Sequence, residues 1–244
     1  MLKPELRGSH IFLHHDEPRF AYVPHLKAGY TSIVTALCDQ FPKLAGACWE
    51  HEIDVREVMR DYFVFSFVRH PVARIVSCYV DKVVIGPSHA LGRSKIPPPQ
   101  ECQSTIFNAC VRYRDSPRAS PHVSDRDVYE RLSRLSFGDF VYLLPLISTS
   151  DRHFRPQSEW LDKFPHLRQG CFIGHVEQFK EDWLAVCEAL GCDIPLLHLN
   201  KADYSVPGAV FHINQVWRER IHGVYARDIQ DFYADRDLPQ EPGA

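Results

Sequence analysis

A chain of 244 residues is long enough for one large domain or two small ones, and for a sizeable buried core. With 45% hydrophobic and 24% charged residues it has ordinary globular composition, which excludes disordered and fibrous forms, and a formal net charge of -3 gives no argument for a nucleic-acid partner. No apolar run approaches the roughly 18 residues of a membrane span, and no signal-peptide-like apolar segment follows Met1, so a soluble protein is expected.

In chain order, the first predicted unit is a strand at Arg19 to Val23 and a helix from about Thr31 to Phe41, in which Ile33, Val34, Leu37 and Phe41 recur at helical spacing. Between them "PHLKAGYTS" holds one lysine and one glycine. Gly29 permits close backbone approach, and Thr31 and Ser32 fall where a helix has its first unpaired N–H groups, so Lys27, Ala28, Gly29, Tyr30, Thr31 and Ser32 read as a P-loop-like phosphate cradle. It is not a Walker A loop, because the lysine precedes the glycine.

The second unit is "YFVFSFV", Tyr62 to Val68, the unbroken apolar run expected of a strand covered on both faces, followed by a helix from Pro71 to about Val84. Arg69 stands at the carboxyl end of that strand, where α/β sheets bind ligands, and offers a planar fork to a phosphate. Ser77 adds a hydroxyl from the helix. Arg74, three residues before Ser77, reads as structural or as a rim residue facing solvent.

From about 86 to 125 the chain carries Pro87, Pro97, Pro98, Pro99, Pro117 and Pro121 without sustained periodicity, and an irregular insertion is predicted there. Its Arg112, Arg114 and Arg118 suit either a solvated basic face or a groove for an acidic substrate. "DVYERLSRLSFGDFVYLLPLI" reads as helical. A third strand, Cys171 to Val176, leads into a helix with Phe179, Trp183, Val186 and Leu190 on one face and Gly191 closing it. Ile213, Val216, Trp217, Ile221, Val224, Tyr225 and Phe232 form a last amphipathic stripe, read as core, before a frayed tail. Alternating strands and helices predict the α/β class: one domain over residues 1–244, with a central parallel sheet flanked by helices.

The eight cysteines include no C-x-x-C pair, so no metal site is expected, and the placement of several, Cys38, Cys78 and Cys187, in apolar stretches suggests free thiols in a reducing compartment. Phosphate grips in two consecutive strand–helix units suggest a ligand with anionic groups at both ends of a nucleoside.

On these residues the chain resembles sulfotransferases that use 3′-phosphoadenosine 5′-phosphosulfate (PAPS), in particular the Golgi-type carbohydrate enzymes acting on chondroitin, dermatan, HNK-1 and heparan sulfate chains. "LKAGYTS" is similar to their 5′-phosphosulfate loop and "FVRHPVARIVSCY" to their 3′-phosphate motif. "HFRPQ", "FIGHVEQFKEDW" and "HLNK" follow in the family's order, so the resemblance runs from about Phe20 to Phe232. It implies PAPS as donor, a saccharide hydroxyl as acceptor, Lys27 at the leaving oxygen, and Arg69 and Ser77 on the 3′-phosphate. It also implies an acceptor-activating base at His51, flanked by Glu50 and Glu52, and a pocket shaped by His153, Arg155 and Gln157. His25, beside the loop, is a third histidine candidate.

Two departures stand out: Leu26 replaces the family's usual proline, and no cysteine pair follows "HFRPQ". The second favours a cytoplasmic, bacterial-type protein over a Golgi-lumenal domain trimmed of its anchor. An NTP-dependent kinase-like enzyme and a non-catalytic nucleotide- or glycan-binding protein stay open as alternatives. Acceptor identity and oligomeric state are not legible.

Overall fold

A computed structural model describes residues 12–47, 59–114, 123–159, 170–195 and 212–234. In chain order these form β1 (Phe12–Asp16), β2 (Arg19–Val23), α1 (Tyr30–Gln40), β3 (Ala45–Ala47), β4 (Phe63–Val68) and α2 (Pro71–Tyr79). A π-helical segment, Val80–Ile85, leads to α3 (Gly86–Leu91), α4 (Glu101–Arg114), α5 (Asp125–Leu132) and α6 (Phe137–Ile147). Then come β5 (Cys171–His175), α7 (Phe179–Leu190), α8 (Gln215–Val224) and α9 (Ala226–Tyr233). The chain divides into two compact units, Met1–His70 with Gln157–Lys201, and Pro71–Pro156 with Ala202–Ala244.

The first unit holds the sheet, in the order β3-β1-β2-β4-β5. β2, β4 and β5 run parallel, with Val23 opposite Ser66 and Val68 opposite His175. These are the three strands expected from their apolar runs, and the α/β class holds. The central parallel strands are extended on one side, where β1 pairs antiparallel with both β2 and β3. β1 ends in His14, His15 and Asp16 and so lacks an apolar run, and the three-residue β3 contains no β-branched or aromatic residue.

Phe20, Tyr22, Phe65 and Phe67, spaced two apart along β2 and β4, pack against Ile33, Val34 and Leu37 of α1 and Trp183, Val186 and Leu190 of α7. Burying each such large apolar side chain contributes about 1.5–3 kcal/mol. α7 ends where expected: Gly191 adopts φ 67°, its N–H bonding to Glu188 O at 3.1 Å and that of Cys192 to Cys187 O at 3.1 Å.

The second unit is helical. Pro71 opens α2 as predicted, but the helix passes into the π-helical segment at Val80. The irregular insertion expected from about 86 to 125 is corrected: Pro87 sits in the first turn of α3, Pro97 to Pro99 precede α4, and 101–114 is helical throughout. Cys102, Ile106, Ala109 and Cys110 keep helical spacing and are buried, a stripe hidden by its small residues.

The "DVYERL…" stretch is two helices rather than one. Ser124 and Asp127 form a capping box at α5, and Ser136 caps α6 through the Asp139 N–H at 3.1 Å. Val72, Ile75, Ile106, Leu132, Phe140, Leu144, Ile221 and Tyr225 lie in this unit's core. Of the C-terminal stripe, Ile221, Tyr225 and Phe232 are buried as expected, whereas Val216 is 58% exposed and stands outside the core.

Candidate functional site

In the first unit the candidate residues gather at the carboxyl ends of the parallel strands. Buried Ser66 on β4 donates its hydroxyl to Val23 O at 2.7 Å, holding the last residue of β2 just before the loop. The Ala28 N–H bonds to His25 O at 3.3 Å across the turn that follows. Lys27 has φ 69° and Gly29 φ 76°, so two of three successive loop residues are left-handed, one of them not glycine. Gly29 is the N-cap of α1 and supplies no side-chain cap. The helix start therefore faces the loop with main-chain N–H groups, which favour an anion there. Ala28 and Ser32 are buried, whereas Lys27, Tyr30 and Thr31 are half-buried.

Arg69 follows β4 directly. Its N–H bonds to Gln157 Oε1 at 3.0 Å, and its carbonyl accepts Gln157 Nε2 at 2.8 Å, so one buried amide clamps both sides of the residue. The next N–H, of His70, bonds to Glu177 Oε1 at 2.8 Å. The half-buried Arg69 guanidinium reaches Lys27 O at 3.5 Å and has no carboxylate partner among the described residues. At β5, the His175 N–H bonds to Asp182 Oδ2 at 2.6 Å.

Glu177, Asp182 and Gln157 thus occupy the backbone donors and acceptors that the sheet leaves open where the chain turns away from β4 and β5. Lys27 and Arg69, placed in separate motifs by the sequence, are brought together. Gln157 holds Arg69, a positioning contact that the sequence does not reveal.

In the second unit Ser77 is half-buried on α2, and its hydroxyl makes no hydrogen bond among the described residues. Arg74 does not face solvent. It is 2% exposed, donates from Nη2 to His153 O at 3.0 Å, and lies 5.9 Å from the ring centroid of Tyr225. The Tyr225 hydroxyl donates to Phe154 O at 2.6 Å, and burial pushes its pKa up.

His153 Nδ1 is 2.8 Å from Asp151 Oδ1, and the His153 backbone N–H reaches the same oxygen at 2.7 Å. Burial pushes the Asp151 carboxyl up, but hydrogen bonds from the His153 side chain and backbone, with the charges of His153 and Arg152, outweigh it and hold the group below the usual carboxylate value. Arg155 is half-buried nearby in the chain. His51, with Glu50 and Glu52, and the "HLNK" stretch lie outside the described residues.

Asp151, Glu177 and Asp182 are carboxylates that hold His153, His70 and His175 and were not singled out from the sequence. The available signal was position: Glu177 and Asp182 stand inside "FIGHVEQFKEDW", and Asp151 stands two residues before "HFRPQ".

The sulfotransferase family matches residues 48–234, well over half of the chain. The chain belongs to the sulfotransferase family. Sulfuryl transfer is therefore the reaction class to which these side chains are to be assigned. The matched span includes Arg69, Ser77, Asp151, His153 and Gln157 and begins after the Lys27 loop. No curated protein and no solved structure matches this sulfotransferase significantly. Among the described residues no cluster of three or more His, Cys, Asp or Glu could hold a metal ion, and no helix is long and apolar enough to cross a membrane.

Proposed function

We propose that this sulfotransferase takes its sulfuryl group from PAPS and passes it to a saccharide hydroxyl, yielding a sulfate ester and adenosine 3′,5′-bisphosphate. The observation that carries the donor assignment is Arg69: a half-buried guanidinium with no carboxylate partner among the described residues, its backbone clamped by Gln157, touching the carbonyl of a left-handed lysine. A charge kept half out of water without a protein counter-ion suits an anionic ligand.

In this reading Lys27 and the N–H groups from Ala28 to Ser32 hold the 5′ end, and Arg69 and Ser77 grip the 3′-phosphate. Lys27 offsets the charge that grows on the leaving oxygen. The acceptor class rests on the likeness to carbohydrate sulfotransferases, with His153 and Arg155 facing the acceptor and Gln157 acting through Arg69. The seven cysteines among the described residues are free, which supports a reducing, cytoplasmic setting.

Calorimetric titration with adenosine 3′,5′-bisphosphate tests the donor assignment. Binding is expected, and Arg69→Ala should weaken it by about 2–3 kcal/mol, roughly 30- to 150-fold, because a charge-assisted phosphate contact is lost; Ser77→Ala should cost about 1 kcal/mol. Equal affinity in wild type and Arg69→Ala would contradict the assignment. A transfer screen with labelled PAPS against glycosaminoglycans, simple saccharides, lipids and phenols tests the acceptor class. Transfer to phenols alone would move the acceptor out of the carbohydrates, and binding without transfer to any hydroxyl would favour a non-catalytic protein.

A further inference from the structure

Val216 belongs to the stripe whose periodicity predicts core, yet on α8 it is exposed. It does not stand alone. Of the five large apolar side chains exposed among the described residues, Tyr142, Leu146 and Val216 lie on α6 and α8, two helices packed so closely that a Cβ at Gly138 would come 2.9 Å from Trp217 Cζ2. The Arg220 guanidinium lies 4.3 Å from the Tyr142 ring centroid, so the outer sides of α6 and α8 form one surface. Exposed Tyr, Leu and Val around an arginine are the composition of a protein interface.

Successive helical residues turn by about 100°. Buried Ile221, with Tyr225 just past the helix end, therefore marks the inner side of α8, and Val216 and Gly223 point directly away from it. Glu219 and Arg220 flank the outer line from Val216 to Gly223, with Arg220 on the side of α6. Neither has an ion-pair partner among the described residues: Glu219 accepts Gln215 Nε2 at 2.9 Å, and Arg220 donates from Nη2 to Tyr142 O at 3.5 Å. Adjacent helical residues do not face each other, so the two charges cannot satisfy one another within one chain. A Cβ at Gly223 would meet nothing within 4 Å.

This stripe complements itself. A two-fold axis parallel to α8 lays Val216 against Val216 of the other copy, and Gly223 lets the two helices approach. It also exchanges the flanks, so each Glu219 faces Arg220 of the other copy. The antiparallel alternative keeps the flanks together and sets Glu219 toward Glu219 and Arg220 toward Arg220, which like-charge repulsion disfavours.

We propose that α8 docks on α8 of a second copy of this chain in the parallel, two-fold arrangement, with Tyr142 and Leu146 of α6 enlarging the buried apolar area beside it. The inference concerns assembly and does not depend on the sulfuryl donor or acceptor.

Sedimentation velocity of the full chain over a wide concentration range tests it, and a dimer obeying mass action is expected. Glu219→Lys and Arg220→Glu should each weaken dimerisation at least about tenfold, because each sets two like-charged pairs across the axis. The charge-swapped double variant should recover to within about threefold of wild type. Orientation is read by cross-linking. With oxidised glutathione as oxidant, Val216→Cys should form a disulfide-linked dimer that wild type does not form, since its thiol faces its own image across the axis.

A monomer at every concentration, a dimer indifferent to Glu219→Lys, or a double variant as weak as the single ones would overturn the proposal. So would cross-linking of Val216→Cys chains to Gly223→Cys chains without self-linking of Val216→Cys, the signature of antiparallel pairing. Arg220→Glu also gives up the Tyr142 contact, so Glu219→Lys and Val216→Cys, at exposed positions, decide by themselves if that variant fails to fold.

Discussion

Gly29 meets two demands at once. Its φ of 76° disfavours any side chain, and a Cβ placed there would lie 2.8 Å from Phe179 Cζ, inside van der Waals contact. Phe179 cannot easily yield, because its ring packs edge-on against Phe67 with centroids 5.1 Å apart. Gly29→Ala should therefore combine backbone strain of about 1 kcal/mol with overpacking of about 1–3 kcal/mol, lowering stability by about 2–4 kcal/mol. Urea unfolding measures it, and a loss under about 0.5 kcal/mol would show that the loop relaxes freely. Lys27, two positions earlier, accepts a left-handed backbone without the excuse of lacking a Cβ. Strain of about 1–2 kcal/mol kept at a charged residue is what a ligand-gripping loop would retain.

Among the elements, legibility followed how strongly each segment's own chemistry declared it. β2, β4 and β5 were readable because Phe20 to Val23, Phe63 to Val68 and Cys171 to Gly174 are apolar or small along their length, and α1 and α7 because their buried residues recur at helical spacing. β1 was not, since His14, His15 and Asp16 break the apolar pattern and its pairing depends on partners at both edges. α4 hid behind a core stripe made partly of cysteine and alanine.

Of the candidate site, Lys27, Arg69 and Ser77 were legible through residue type and motif. The clamps Gln157, Glu177 and Asp182 act on backbone groups 88, 107 and 7 residues away, and the two longer separations are set only by the fold.

The π-helical segment was likewise invisible, and it depends on Gln103, which is buried, donates from Nε2 to Lys82 O at 3.1 Å and accepts the Gln100 N–H at 3.0 Å. Gln103→Ala would leave both groups without this partner, at about 1–3 kcal/mol. Gln103→Glu, which keeps the acceptor and loses the donor, should cost less at the Gln100 N–H. Equal stability of wild type and Gln103→Ala by urea unfolding would show that the segment holds itself.

At the scale of the whole molecule, the chain passes between its two compact units at His70–Pro71, Pro156–Gln157 and Lys201–Ala202, and each passage falls within or directly after a stretch similar to a family motif. Binding of a ligand to the native state is linked to folding through mass action. At a concentration about 100 times its Kd, a ligand that binds only the native state adds about 2.7 kcal/mol, and for a chain of this size each kcal/mol moves Tm by about 2–4 °C. Adenosine 3′,5′-bisphosphate should then raise Tm by about 5–11 °C, and an added chelator should leave the rise in place if the grips need no metal. For Arg69→Ala at the same ligand concentration, affinity weakened about 30- to 150-fold leaves only about 0.3–0.9 kcal/mol, a rise of about 1–3 °C. Differential scanning calorimetry distinguishes the two ranges. No rise in wild type at saturating ligand would remove the nucleotide from the proposed function, and an undiminished rise in Arg69→Ala would remove Arg69 from the site.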